Sequence, residues 1–145
     1  MDITWVDDIL LSGYTAILKN EINQAAEIHR IVVEYCTNNS YPQGLAGCYG
    51  LQARIYAKVS QWEEAIGEVR KSISILKESE NKRYWAHQLY MLAYYYFKIE
   101  HYAACCDYAE QAVYLFAYCT IAMAKLTRFR SLRRHTDRNH IINIR

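Results

Sequence analysis

The sequence predicts an all-α protein built as an array of helix-turn-helix repeats. Two observations predict it. The chain of 145 residues is 52% hydrophobic, with a single Pro and five Gly, so little in it breaks helices. Small and aromatic residues also recur at a spacing of forty. Gly13, Ala53 and Ala93 line up, as do Ala16, Tyr56 and Tyr96; Ala25, Ala65 and Cys105; and Val32, Ser72 and Ala112. Three copies at one spacing imply stacked units that share a continuous core.

The elements follow in order. A first helix starts at Thr4, whose hydroxyl suits the N-cap, with Asp7 and Asp8 at the positive end of the helix dipole. Asn20 interrupts it and caps a second helix, whose apolar stripe is Ala25, Ile28, Ile31, Val32 and Tyr35. Residues 37–40 read as a loop. Pro42 falls in the first turn of a third helix, where its missing N–H costs nothing. That helix runs to about Val59, and Ser60 with Glu63 forms a capping box for the fourth. Ala65, Ile66, Val69, Ile73 and Leu76 give the fourth helix its apolar face. After a polar turn at 78–82, a fifth helix spans about 83–99. A sixth begins near Tyr102 and carries Ala109, Ala112, Val113 and Phe116. Asn20, Ser60 and Glu100 share one position of the repeat and mark the turn inside each helix pair. A separate helix over about 121–134 is expected to cover the last repeat with Leu126, Phe129 and Leu132. The domain reading is therefore 1–120 for three helical hairpins, and 121–145 for a capping helix with a basic tail or a truncated continuation.

Ala53, Tyr56, Trp62, Ala65, Val69 and Ser72 resemble a tetratricopeptide repeat (TPR), a family with small, Tyr, aromatic, Ala, bulky and small residues at these offsets. Leu89, Leu92, Ala93, Tyr96, Tyr102, Cys105 and Ala112 repeat the pattern, and Ile9, Gly13, Ala25 and Val32 match it more loosely. The resemblance covers about residues 5–118. Its forty-residue period is longer than is usual in the family and is similar to the larger repeats of some bacterial regulatory and signalling proteins. It implies a right-handed superhelix of about three repeats whose first helices line a concave groove for a peptide or partner helix.

Carried onto this chain, the groove offsets fall on Leu10, Tyr14, Ile17 and Leu18; on Gly47, Gly50, Arg54, Ala57 and Lys58; and on His87, Tyr90, Tyr94, Phe97 and Lys98. The expected ligand face is Tyr14, Arg54, Lys58, Tyr90, Tyr94, Phe97 and Lys98. These cations and aromatics suit an acidic partner with aromatic or aliphatic anchors, and Gly47 and Gly50 leave room for its backbone. The competing reading is an ordinary solvated helix surface. Tyr14 and Arg54 stand where carboxylate-gripping members of the family carry Asn, which disfavours that ligand.

No catalytic or metal motif is present. The five His have no HExxH or similar spacing, no GxSxG, P-loop or GxGxxG run occurs, and of the pair Glu63-Glu64 the first serves the capping box while the second faces solvent. The expectation is a non-enzymatic module with no cofactor. Five cysteines, an odd number without CxxC spacing, and an acidic N-terminus suggest a reducing, cytoplasmic setting. There the thiols act as small apolar groups, with redox sensing by Cys105 and Cys106 as the alternative. The uncharged run 112–124 has 13 residues, short of the ~20 that span a bilayer.

Charge is uneven. Residues 1–118 hold 14 acidic and 10 basic side chains, net −4. Residues 119–145 hold seven cations (Lys125, Arg128, Arg130, Arg133, Arg134, Arg138 and Arg145) against Asp137, net +6. The alternative function is accordingly a nucleic-acid- or anionic-surface-associated factor acting through the basic tail. Self-association through the apolar C-terminal helices is a further expectation.

Overall fold

The computed structural model describes residues 3–142, which form six helices and no strand: α1 (Ile3–Leu18), α2 (Ile22–Asn38), α3 (Pro42–Lys58), α4 (Trp62–Leu76), α5 (Lys82–Lys98) and α6 (Tyr102–Ile142). Each helix packs on the next, and α1 also packs on α3. The result is an all-α array in which Ile22, Pro42, Trp62, Lys82 and Tyr102 open five successive helices twenty residues apart. The forty-residue sequence period is thus two helix-and-turn units.

One turn geometry accounts for this regularity. Asn20, Ser40, Ser60 and Glu100 all have positive φ, at 63°, 50°, 60° and 64°. Around each, two backbone N–H groups return to the preceding helix, as in Glu21 N to Ala16 O at 2.8 Å and Asn20 N to Ile17 O at 3.0 Å. The same pair recurs at Tyr41 to Cys36, Gln61 to Tyr56 and His101 to Tyr96. This left-handed closure satisfies carbonyls that a helix end leaves open. Asn20 and Ser60 therefore end helices rather than begin them. The N-caps of α2 and α4 are Glu21 and Gln61, neither with a side-chain cap bond, so the expected capping box at Ser60 and Glu63 does not form. Thr4 likewise lies inside α1. Pro42 is in the first turn of α3 as expected. The turn before α5 is the exception: there Asn81 Oδ1 accepts from Tyr84 N at 3.1 Å.

The recurring small residues lie at the helix contacts. Ala25, Val32, Ala53, Ala65 and Ser72 are fully buried, and Ala93 and Ala112 nearly so. A methyl at Gly13 would meet Leu51 Cδ2 at 2.8 Å, so adding one requires the buried Leu51 side chain to shift. Ser72 avoids an unpaired hydroxyl by donating to Ala46 O at 2.8 Å. Tyr96 stacks on Tyr108 at 5.5 Å, and the Arg70 guanidinium lies over both rings, so this repeat aromatic fills the gap between α4, α5 and α6. Two core clusters meet at α3: Leu51 belongs to the one under α1 and α2, Ala53 to the one under α4, α5 and α6.

α6 departs from expectation. The sixth helix and the separate capping helix are one element of 41 residues, so a domain boundary at 120 falls inside a continuous helix. Residues 112–124 contain no Gly, Pro, Asn or Asp to break it. Thr120 and Thr127 return their hydroxyls to Phe116 O and Met123 O and stay in register. Leu126 and Leu132 are 44% and 58% exposed, so neither is buried as a cap on the last repeat would be. Arg145 and the side chains of Phe129 and Arg138 lie outside the described residues. No helix among the described residues is long and apolar enough to cross a membrane.

Candidate ligand-binding face

The odd-numbered helices bring the expected groove positions onto one side, and Arg54 fixes their arrangement. Its Cζ lies 5.2 Å from the Tyr14 ring centroid on α1, and its Nη2 donates to His87 Nε2 on α5 at 3.3 Å. The same Nη2 is 3.7 Å from Met91 Sδ. Tyr14 Oη is in turn 3.3 Å from Tyr84 Oη. Tyr14, Arg54, Tyr84 and His87 thus form a half-buried polar tie across α1, α3 and α5. Arg54, one of the expected ligand contacts, has its side chain engaged within the fold.

The electrostatics of this tie follow from burial. Desolvation raises the Tyr14 pKa and raises that of Tyr84 well above the ordinary phenol value, so both stay protonated. Burial first, and the neighbouring Arg54 charge second, lower the His87 pKa. A neutral His87 is what the geometry requires, because its Nε2 must accept from a guanidinium that only donates.

The glycines also change role. A Cβ at Gly50 would meet Tyr84 Oη at 2.4 Å and Tyr14 Oη at 2.9 Å. One at Gly47 would meet Leu10 Cδ1 at 2.6 Å. Their space is filled by the chain's own side chains, not held open for a ligand. Leu10 and Ile17, two further groove offsets, are 7% exposed and belong to the core.

What remains accessible is a stripe on α5 and the end of α3. Tyr90, Tyr94 and Phe97 are 54%, 40% and 52% exposed, on one helix face by their three- and four-residue spacing. Lys98 Nζ lies 5.5 Å from the Tyr94 centroid and 5.6 Å from that of Trp62. Phe97 leans on Tyr102 at 5.9 Å, and Tyr90 continues the row to His87 at 6.4 Å. Lys58 is exposed, one turn beyond Arg54. The structure therefore joins Tyr90, Tyr94, Phe97 and Lys98 in one surface, with Tyr14 and Arg54 beneath its far end.

Trp62, Tyr84 and Tyr102 also belong to this surface, beyond the groove offsets that the resemblance supplies. The shared repeat position of Trp62 and Tyr102 was the available signal; nothing periodic marks Tyr84. A hollow of about 350 Å³, lined by Asn81, Arg83, Tyr84, His87 and Phe116, adjoins the His87 end.

Charge distinguishes α3 and α5 from the neighbouring α2 and α4, which carry acidic as well as basic side chains. α3 carries Arg54 and Lys58, α5 carries Lys82, Arg83 and Lys98, and neither has an Asp or Glu. α2 and α4 hold five Glu between them. Among the described residues no cluster of three His, Cys, Asp or Glu could hold a metal ion. No family model, curated protein or solved structure matches the chain.

Proposed function

We propose that this chain is a non-enzymatic interaction module, a TPR-like repeat array that binds an acidic peptide or partner helix across α3 and α5. The observation that carries this reading is the exposed Tyr90, Tyr94 and Phe97 stripe with Lys98, on helices free of carboxylates. Aromatic anchors supply contact area with little entropy to lose, and the cations select an acidic partner and hasten encounter. Lys58 and Lys98 also sit in the last turns of their helices, where a cation is favoured by the dipole. The resemblance to repeats of bacterial regulators supports a cytoplasmic sensor or adaptor role.

Selection from a random peptide library tests the reading. It predicts enrichment of Asp and Glu beside aromatic or aliphatic residues, and weakening of about tenfold or more, ~1.4 kcal/mol, in Lys58→Glu/Lys98→Glu. Neutral or basic winners, or winners indifferent to those substitutions, contradict it.

One observation favours a second reading, a nucleic-acid-associated factor. Lys125, Arg128, Arg130, Arg133 and Arg134 are exposed on α6, and residues 111–136 contain no Asp or Glu. That reading predicts salt-dependent binding of duplex DNA or RNA that falls in Arg130→Gln/Arg133→Gln/Arg134→Gln.

A further inference from the structure

We propose that two copies of this chain pair antiparallel through α6, along the face that points away from α5. This inference is independent of the ligand face on α3 and α5.

Helical geometry isolates the surface. Ala112 is 2% exposed and belongs to the core shared with α4 and α5, so it marks the inward side of α6. At about 3.6 residues per turn, Asp107, Glu110, Tyr114, Ile121, Lys125 and Arg128 fall within one stripe roughly 170° from Ala112. Tyr114 and Ile121 are 73% and 56% exposed. The four charged residues are exposed as well. Ion pairs among the described residues join Arg30 to Glu27 and Glu34, and Lys71 to Glu68, leaving these four charges unused.

The order of chemistry along the stripe chooses the occupant. It runs acidic, apolar, basic, and it is complementary to itself when reversed. An antiparallel second copy centred between Ala117 and Tyr118 sets Tyr114 opposite Ile121, Glu110 opposite Lys125 and Asp107 opposite Arg128. The twofold axis then gives four opposite-charge pairs flanking an apolar centre. A parallel pair would set Asp107 against Asp107 and Arg128 against Arg128, which is repulsive at both ends. A closed twofold contact also ends at two copies, as an isologous interface must. Because the stripe lies opposite the α5 contact, the second helix approaches without displacing α5.

Charge exchange tests the geometry. Sedimentation of the purified, nucleic-acid-free protein from micromolar to submillimolar concentration is expected to show a monomer–dimer equilibrium. Asp107→Lys/Glu110→Lys makes both ends of the stripe basic, and Lys125→Glu/Arg128→Glu makes both acidic. Each double variant alone should dimerise about tenfold or more weakly, with unchanged helix content by circular dichroism. An equal mixture of the two should recover the dimer, as a heterodimer. A wild type that stays monomeric throughout, a dimer that survives in both double variants, or a mixture that fails to recover it would each overturn the proposal. Peptide binding through α3 and α5 is read separately and can fail without affecting this outcome.

Discussion

Arg54→Met separates a structural role for this arginine from a ligand-binding one. The substitution keeps an unbranched apolar stem and removes the guanidinium. Three interactions disappear: the cation–π contact with Tyr14, about 0.5–1 kcal/mol at a partly exposed site, the long, half-buried hydrogen bond to His87, about 1 kcal/mol net, and a weak N–H···S contact with Met91 that adds little. The expected loss is therefore about 1.5–2 kcal/mol, or roughly a 4–8 °C fall in Tm for a chain of this size. Urea denaturation followed by circular dichroism measures it, with the slope unchanged because the surface exposed on unfolding is nearly the same. A variant with wild-type stability that loses peptide binding would refute the reasoning, since Arg54 would then be reserved for a ligand.

Three further outcomes follow from the packing and the turns. Gly67 has open space around its Cα and Gly50 does not, so Gly67→Ala should stabilise by about 1 kcal/mol through helix propensity. Gly50→Ala should fall ~1–3 kcal/mol short of that gain because it pushes the Tyr14 and Tyr84 hydroxyls apart; equal denaturation midpoints for the two would contradict the assigned packing. Glu100 sits at a φ of 64°, where a side chain costs about 1 kcal/mol, so Glu100→Gly should raise the melting temperature. Part of the pH dependence comes from His87, whose folded pKa, like that of the half-buried His29, lies below its ordinary 6.5. The unfolded chain takes up a proton near 6.5 and the folded chain only at lower pH, so stability falls as pH drops through that window. Stability measured at pH 7.5 and 5.5 should differ less in His87→Gln; an unchanged difference would show that burial of this ring does not contribute.

The repeat was legible because its determinants are local and recur. Ala53, Ala65 and Ala93 must be small wherever two helices touch, and one spacing carries that requirement through three copies. The turns were legible in position but not in mechanism. Ser60 followed by Glu63 matches a capping box, yet the backbone takes the left-handed closure it shares with Asn20, Ser40 and Glu100, a conformation no side-chain pattern at Ser60 announces. Ser40 falls in the loop expected at 37–40, between hairpins and half a period from the others, so the forty-residue alignment does not group it with them.

The candidate site was only half legible. Tyr90, Tyr94, Phe97 and Lys98 share one helix face, so spacing alone places them together. Arg54 has partners 40 residues before it and 33 and 37 after it, and no single-helix pattern shows such contacts. The continuity of α6 was hidden for a different reason. Repeat logic expects a turn after one more helix length, but residues 112–124 hold no residue that would stop the helix.

The most direct test of the ligand face is an amide NMR titration of the labelled full chain with an acidic peptide from the library selection. The account predicts chemical-shift changes at Lys58 and along Tyr90, Tyr94, Phe97 and Lys98, lost in Lys58→Glu/Lys98→Glu. Changes confined to α6, with α3 and α5 unmoved at saturation, would contradict it.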